Sequence, residues 1–281
     1  MVYLIIVAAI VLIAAAVLYG GWRWACSTRD LLARLEAGRV AVGPKTYDPR
    51  ELDSLPAAVQ RYFHAALTEG QPIVAAVSIE HAGTFNMSAD GEKWQPFTSR
   101  QRVLTQCPGF VWDARIAVAP GLKARVHDAY LEGEGILHAT LLGFLTIVNM
   151  RGTRPVAEGE LQRFFAETAW YPTALLPSQG VQWTAVDDSS AKATLKDGDI
   201  SLTLLFRFDE TGLIDSVRAE ARGRTVGGKV IPTPWEGRWK NYELRDGMRV
   251  PLEGEVAWIL PEGPKPYWRG RVTSLSYENA R

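Results

Sequence analysis

The sequence predicts an α+β fold that is mainly antiparallel β. One N-terminal transmembrane helix precedes a large curved antiparallel sheet, a half-barrel of about ten or eleven strands, with helices at 54–68 and 158–170 packed on it. Three observations predict this. Residues 2–19, VYLIIVAAIVLIAAAVLY, carry no charge. From about residue 73, apolar and polar side chains alternate in short runs separated by turn residues. In two places the apolar residues instead recur at helical spacing, once ahead of that region and once in its middle.

At about 1.5 Å per residue the uncharged run is ~27 Å long, close to the ~30 Å hydrocarbon core of a bilayer. Tyr3 stands at one end and Tyr19, Trp22 and Trp24 at the other, where aromatic rings settle at headgroup level. A cleaved secretory signal would need a basic segment first, and Met1 supplies only its α-amino group. A lipoprotein signal would need small residues before Cys26, and Arg23-Trp24-Ala25 does not fit. We expect a retained single-pass anchor. Arg23, Arg29, Arg34 and Arg39 follow the run and no Lys or Arg precedes it, which favours a cytoplasmic domain by the positive-inside rule.

Residues 27–37, STRDLLARLEA, read as a short amphipathic helix with Ser27 or Thr28 as cap, a Leu31, Leu32 and Leu35 stripe, and Gly38 as stop. VAVGPKTYDP is a linker. In the 54–68 helix, Pro56 suits the first turn and Val59, Tyr62, Phe63 and Leu67 form the apolar face. The strands then follow as IVAAVSIEHAGTFNM, WQPFTSRQRVLTQ after a turn at Ala89-Asp90-Gly91, GFVWDARIAVA, LKARVHDAYLEG and GILHATLLGFLTIVNM. The 158–170 helix carries Leu161, Phe164 and Phe165 and ends before Pro172. The β pattern resumes with VQWTAVD, AKATLK, ISLTLLFRFD and LIDSVRAEARG, crosses a glycine-rich loop, RTVGGKVIPTP, and closes with WEGRWKNYEL, RVPLEGEVAWIL and KPYWRGRVTSLSYEN. Short links between runs make neighbours antiparallel. The chain therefore divides into an anchor (1–22), a juxtamembrane helix and linker (23–50) and a single curved-sheet domain (51–281).

Lys plus Arg equals Asp plus Glu, at 31 each, which argues against broad nucleic-acid binding. Two cysteines, Cys26 and Cys107, make no disulfide framework and read as unpaired. His64, His81, His127 and His138 lack metal-ligand spacing, and there is no nucleophile elbow, zincin motif or phosphate loop. We assign no catalytic residue, no metal ligand and no cofactor. Glu158, Glu160 and Glu167 cluster on one helix, and Asp113 and Asp128 lie on neighbouring strands. A pair of these could share a pocket with separated pKa values, although acids at a helix start and on a strand surface explain them more plainly. The ten tryptophans are the stronger signal. On the 109–119 strand Phe110, Trp112, Ala114, Ile116 and Val118 share one face, and Val111, Asp113, Arg115 and Ala117 the other. Trp94, Phe110, Trp112 and Trp170 are the expected lining of an apolar cavity, with Asp113 and Arg115 as polar contacts at its rim or on the opposite face.

As a set, LPAAVQRYF (55–63), WQPFTSRQ (94–101), PGFVWDAR (108–115), VHDAYLEGEG (126–135), GELQRFFAETAWYPTALLP (159–177) and PWEG with VPLEGEVAW (234–258) resemble a bacterial family catalogued only as a domain of unknown function, over roughly residues 50–278. FRFDETGLI (206–214) and YELRDGMRVPLEGEVAW (242–258) are similar at the fold level to the LolA/LolB-like lipoprotein-carrier superfamily. That resemblance implies an open half-barrel with helices plugging its concave face, where acyl chains are held, and a location outside the bacterial plasma membrane, against the lean of the arginines. The expected function is a membrane-anchored, non-enzymatic domain that binds a lipid or other hydrophobic ligand. The alternatives are a protein-interaction module at the membrane, and an enzyme on a membrane-derived substrate using Glu160, Glu167, Asp113 or Asp128.

Overall fold

Helix α1 runs unbroken from Val2 to Ala37. Gly20 and Gly21 do not interrupt it, so the expected anchor and juxtamembrane helix form one rod of about 54 Å. In this computed structural model, which describes residues 1–40, 43–88 and 91–280, α1 has two distinct halves. The first half is apolar, exposed, and long enough to cross a membrane by length and composition. The second half packs on the sheet, starting at Gly20, where a side chain would collide with the Leu142 carbonyl. Leu31, Leu32 and Leu35 then cover Ala76, Leu104, Val111, Ala129, Leu131 and Ile136 on the outer face of the sheet.

Thirteen strands follow: Val74–Asn86 (β1), Trp94–Leu104 (β2), Gly109–Ala119 (β3), Leu122–Leu131 (β4), Glu134–Leu141 (β5), Leu145–Arg151 (β6), Gln182–Asp187 (β7), Ser190–Asp197 (β8), Ile200–Phe208 (β9), Ile214–Val226 (β10), Lys229–Arg245 (β11), Met248–Leu260 (β12) and Gly263–Asn279 (β13). They form one open antiparallel sheet in the order β6-β5-β4-β3-β2-β1-β13-β12-β11-β10-β9-β8-β7. The first and last strands pair at its centre, Val74 opposite Asn279.

Thirteen strands exceed the ten or eleven expected; one turn in unpromising sequence divides a single run in two, and another lengthens two strands without adding any. Leu142 and Gly143, both at positive φ (55° and 80°), split the run 136–150 into β5 and β6. Gly227 and Gly228 (56° and 79°) make the expected glycine-rich loop a hairpin that extends β10 and β11. Both fit the left-handed pair a tight hairpin requires. The expected turn at Ala89-Asp90-Gly91 lies partly outside the described residues. Asn86 organises the flanking chain, its Oδ1 accepting from the Ser88 and Lys93 amides at 3.0 and 2.9 Å.

The chain between β6 and β7 crosses the concave face as α3, Arg154–Ala166, and 3₁₀ turns from Glu167 to Gln179. Pro155 in the first turn fixes its start four residues earlier than the apolar spacing predicts. Helix α2, Ala57–Ala66, covers the other part of that face. Val59, Tyr62 and Phe63 from α2, and Leu161, Phe164 and Phe165 from α3, join the inward residues of the strands in one core.

Candidate ligand-binding groove

Helix α3 does not fill the concave face. Between its N-terminal half, the ends of β1 and β3–β5, and the β10–β11 hairpin lies a groove of about 500 Å³. Its walls are mostly apolar, with Ile116, Val126, Leu137, Ala139 and Met150 on one side and Val230 and Trp258 on the other. It shares Phe85, Trp112, Asp128, Arg222 and Tyr267 with an inner chamber of about 100 Å³. Trp112, Trp170, Trp235, Trp239 and Trp268 surround that chamber. The Trp239 ring occupies the space above Gly254 and the Trp268 ring that above Gly270, so large indoles fit inside a strongly curved sheet.

Charged groups sit among these rings. The Arg163 guanidinium lies between the faces of Phe110 and Trp112, 5.0 and 4.7 Å from their centroids. Its Nη1 donates to Asp128 at 2.7 Å and its Nε to Glu167 at 2.8 Å. Glu167 also accepts from Gln101 at 2.6 Å. Burial opposes the Arg163 charge, but Glu167 and Asp128 outweigh it and hold the group protonated. Burial raises the Asp128 carboxyl despite the pull of Arg163 and Arg222. Glu160 is pushed up to about 8, first by burial and then by the Asp128 charge. Its Oε2 has no hydrogen-bond partner, nor do Asp128 Oδ1, Arg222 Nη1, or the ring nitrogens of Trp112, Trp170 and Trp239.

Glu160 therefore sets a pH dependence. Well below its ordinary value of 4.5, the carboxyl is neutral whether folded or not. As pH rises from there to about 8, the unfolded chain ionises while the folded one resists, so stability falls across that window. Glu160→Gln is expected to flatten this slope and to stabilise the fold at pH 8 by on the order of 3 kcal/mol. Thermal midpoints at pH 5 and pH 8 check it; equal shifts at both would mean that Glu160 ionises normally.

In sequence, residues 53–277 match the profile of a family of unknown function, DUF6920. The chain belongs to DUF6920. The DUF6920 region contains every groove residue, and helix α1 lies outside it. No curated protein matches the chain in sequence. Among solved structures it is similar to a LolA superfamily protein from Nitrosomonas europaea, at 11% identity and TM-score 0.41 over 80% of this chain and 94% of that one. It is also similar to a beta-barrel-like protein of the domain of unknown function DUF1849 from Brucella abortus, at 9% identity and TM-score 0.29 over 73% and 98%.

Of the residues singled out from sequence, Trp112 and Trp170 line the inner chamber of the DUF6920 domain, and Phe110 lies buried beneath Arg163. Trp94 does not join them. It is three residues from the inward Phe97, so it faces outward, and Arg269 lies 4.2 Å over its ring. Asp113 and Arg115 take the opposite face, as their parity requires. Arg115 is exposed there. Asp113 fastens α1: Trp24 Nε1 donates to its Oδ1 at 2.9 Å and Thr28 Oγ1 to its Oδ2 at 3.2 Å, while the Trp24 ring stacks on His127 at 3.8 Å. Asp128, Glu160 and Glu167 are brought together in the groove, and the sheet separates them from Asp113. Arg163 and Arg222 were missed. Arginines on an apolar face were the available signal, Arg163 one turn before Glu167 in particular. Among the described residues, no three His, Cys, Asp or Glu side chains are grouped to hold a metal ion.

Proposed function

We propose that this protein is a membrane-tethered, non-enzymatic holder of a lipid or similar hydrophobic ligand, with the ligand in the groove and the first half of α1 in the bacterial plasma membrane. The observation that carries the reading is the groove itself, a largely apolar cleft of ligand size with a few placed polar groups. Its position adds support. Ile116 is in register with Ala124, and Ala124 with Leu141, beside the turn on which Gly20 packs. The wall formed by Met87, Ile116 and Ala139 thus lies at the end of the β1–β5 half-sheet from which the exposed part of α1 departs. Met87, Leu145 and Ile147 stand exposed at that same end, where a bilayer would meet them.

The test is lipid retention by the full chain, purified in a mild detergent and measured by native mass spectrometry. We expect one tightly held lipid per chain. Ala139→Trp, which fills the groove, is expected to remove it while moving the thermal midpoint by only a few degrees. Equal retention by the variant would place the lipid around α1 instead and overturn the reading.

The cluster of Asp128, Glu160 and Glu167 favours a second reading, an acid–base enzyme acting on a membrane-derived substrate. A carboxyl with a pKa of about 8 in a cleft suits a proton donor. Two of the three acids are locked to Arg163, which favours the first reading. Product formation from radiolabelled membrane lipids, abolished by Glu160→Gln, would reverse that preference.

A further inference from the structure

The inner chamber has an excess of unpaired donors. Trp112, Trp170 and Trp239 each carry a buried ring N–H without a partner, and Arg222 a buried Nη1 without one. All four residues line the same space of about 100 Å³. The three indoles are nearly inaccessible, at 2%, 2% and 5% exposure. Against these donors stands the unpaired Asp128 Oδ1, whose carboxylate is already bonded to Arg163. Leaving a buried donor unsatisfied costs about 1–3 kcal/mol, so four around one chamber point to an acceptor that meets them.

The two arginines of the site differ. Arg163 is saturated by Asp128, Glu167 and its two aromatic faces. Arg222 is held by the Trp235 ring, 5.1 Å from its Cζ, and among the described residues no carboxylate lies within ion-pair distance of it. A guanidinium fixed by stacking, with a free N–H in a chamber of indole donors, is arranged to receive an anionic oxygen group. The chamber has room for a head of a few heavy atoms, and it opens into the apolar groove rather than into solvent alone.

We propose that the inner chamber is a head-group site: it binds the anionic, oxygen-rich head of a single-chain amphipath, a carboxylate or a phosphate monoester, on Arg222 and the indole N–H groups of Trp112, Trp170 and Trp239, with the chain lying back along the groove. This rests on the reading of the groove as a lipid site and adds head-first polarity and charge selection to it.

The experiment compares three ligands of equal chain length on the full chain in zwitterionic nanodiscs: palmitate, hexadecyl phosphate and hexadecanol. Each is labelled with ¹³C at its first carbon, and its bound NMR line is titrated against empty nanodiscs. We expect at least one of the two anions to bind about 10- to 100-fold more tightly than hexadecanol. Whichever anion leads identifies the natural head. Arg222→Met is expected to abolish that advantage, so that the leading anion binds no more tightly than hexadecanol does to the same variant. Equal binding of all three ligands by the wild-type protein would overturn the head-group site and leave the groove reading standing. Binding of none would remove both. Loss of hexadecanol binding in Arg222→Met would assign Arg222 to shaping the groove and overturn its role as the anion's partner.

Discussion

Arg163→Met is expected to destabilise the domain by about 3–5 kcal/mol, the usual consequence of removing one partner from a buried ion network. The substitution keeps an unbranched side chain of similar length between Phe110 and Trp112, so most of the loss comes from what it leaves behind. Asp128 and Glu167 lose the bonds at 2.7 and 2.8 Å that offset their burial. Removing those charges as well should recover much of the loss, so the triple variant Arg163→Met, Asp128→Asn, Glu167→Gln is expected to be more stable than the single one. Denaturant midpoints for the three proteins decide the matter. A single-variant loss below ~1 kcal/mol would mean that the two acids do not depend on Arg163 for neutralisation.

Trp170→Ala is expected to cost a comparable ~3–5 kcal/mol. The indole stands at 2% exposure, edge-on to Trp239 at 4.8 Å and the same distance from His81. Its backbone carbonyl, which accepts from Tyr277 at 2.7 Å, survives the change, so the loss isolates the ring. The deletion would merge the ring's volume with the inner chamber. Free indole added to the variant is therefore expected to raise its thermal midpoint and to leave the wild type unmoved. A variant as stable as the wild type would show that the ring is dispensable to the core.

Much of the fold was legible because turns and periodicity are local. The faces of 110–116 agree with the alternation, with Phe110, Trp112, Ala114 and Ile116 buried in the core and Asp113 under α1, and the pairing slips only at 117–119. What was not legible depends on distant chain. Parity separates Trp94 from Phe97, but which face curls inward is set by the whole sheet. Leu142 is an unusual residue at positive φ, so the β5–β6 turn gave little warning. Gly20 and Gly21 resemble a helix stop, and the turn beneath Gly20 uses its smallness for close packing. The arginines of the groove were hidden for a similar reason: an isolated arginine on a helix or strand reads as surface until its partners, 35 residues away for Asp128 and Arg163, are brought to it.

The pairing of β1 with β13 also fixes the order in which the domain is completed. Every other strand contact joins neighbours in sequence, and this one joins residue 74 to residue 279. During synthesis, β1 to β6 can form while the edge of β1 remains open, and that edge is closed only when the last strand has emerged. Such a long-range closure makes folding slow. Over that interval an unpaired edge strand is a template for association between chains. The docked half of α1, held across β2–β5 by Leu35, Trp24 and Arg34, can brace the early half-sheet through this wait.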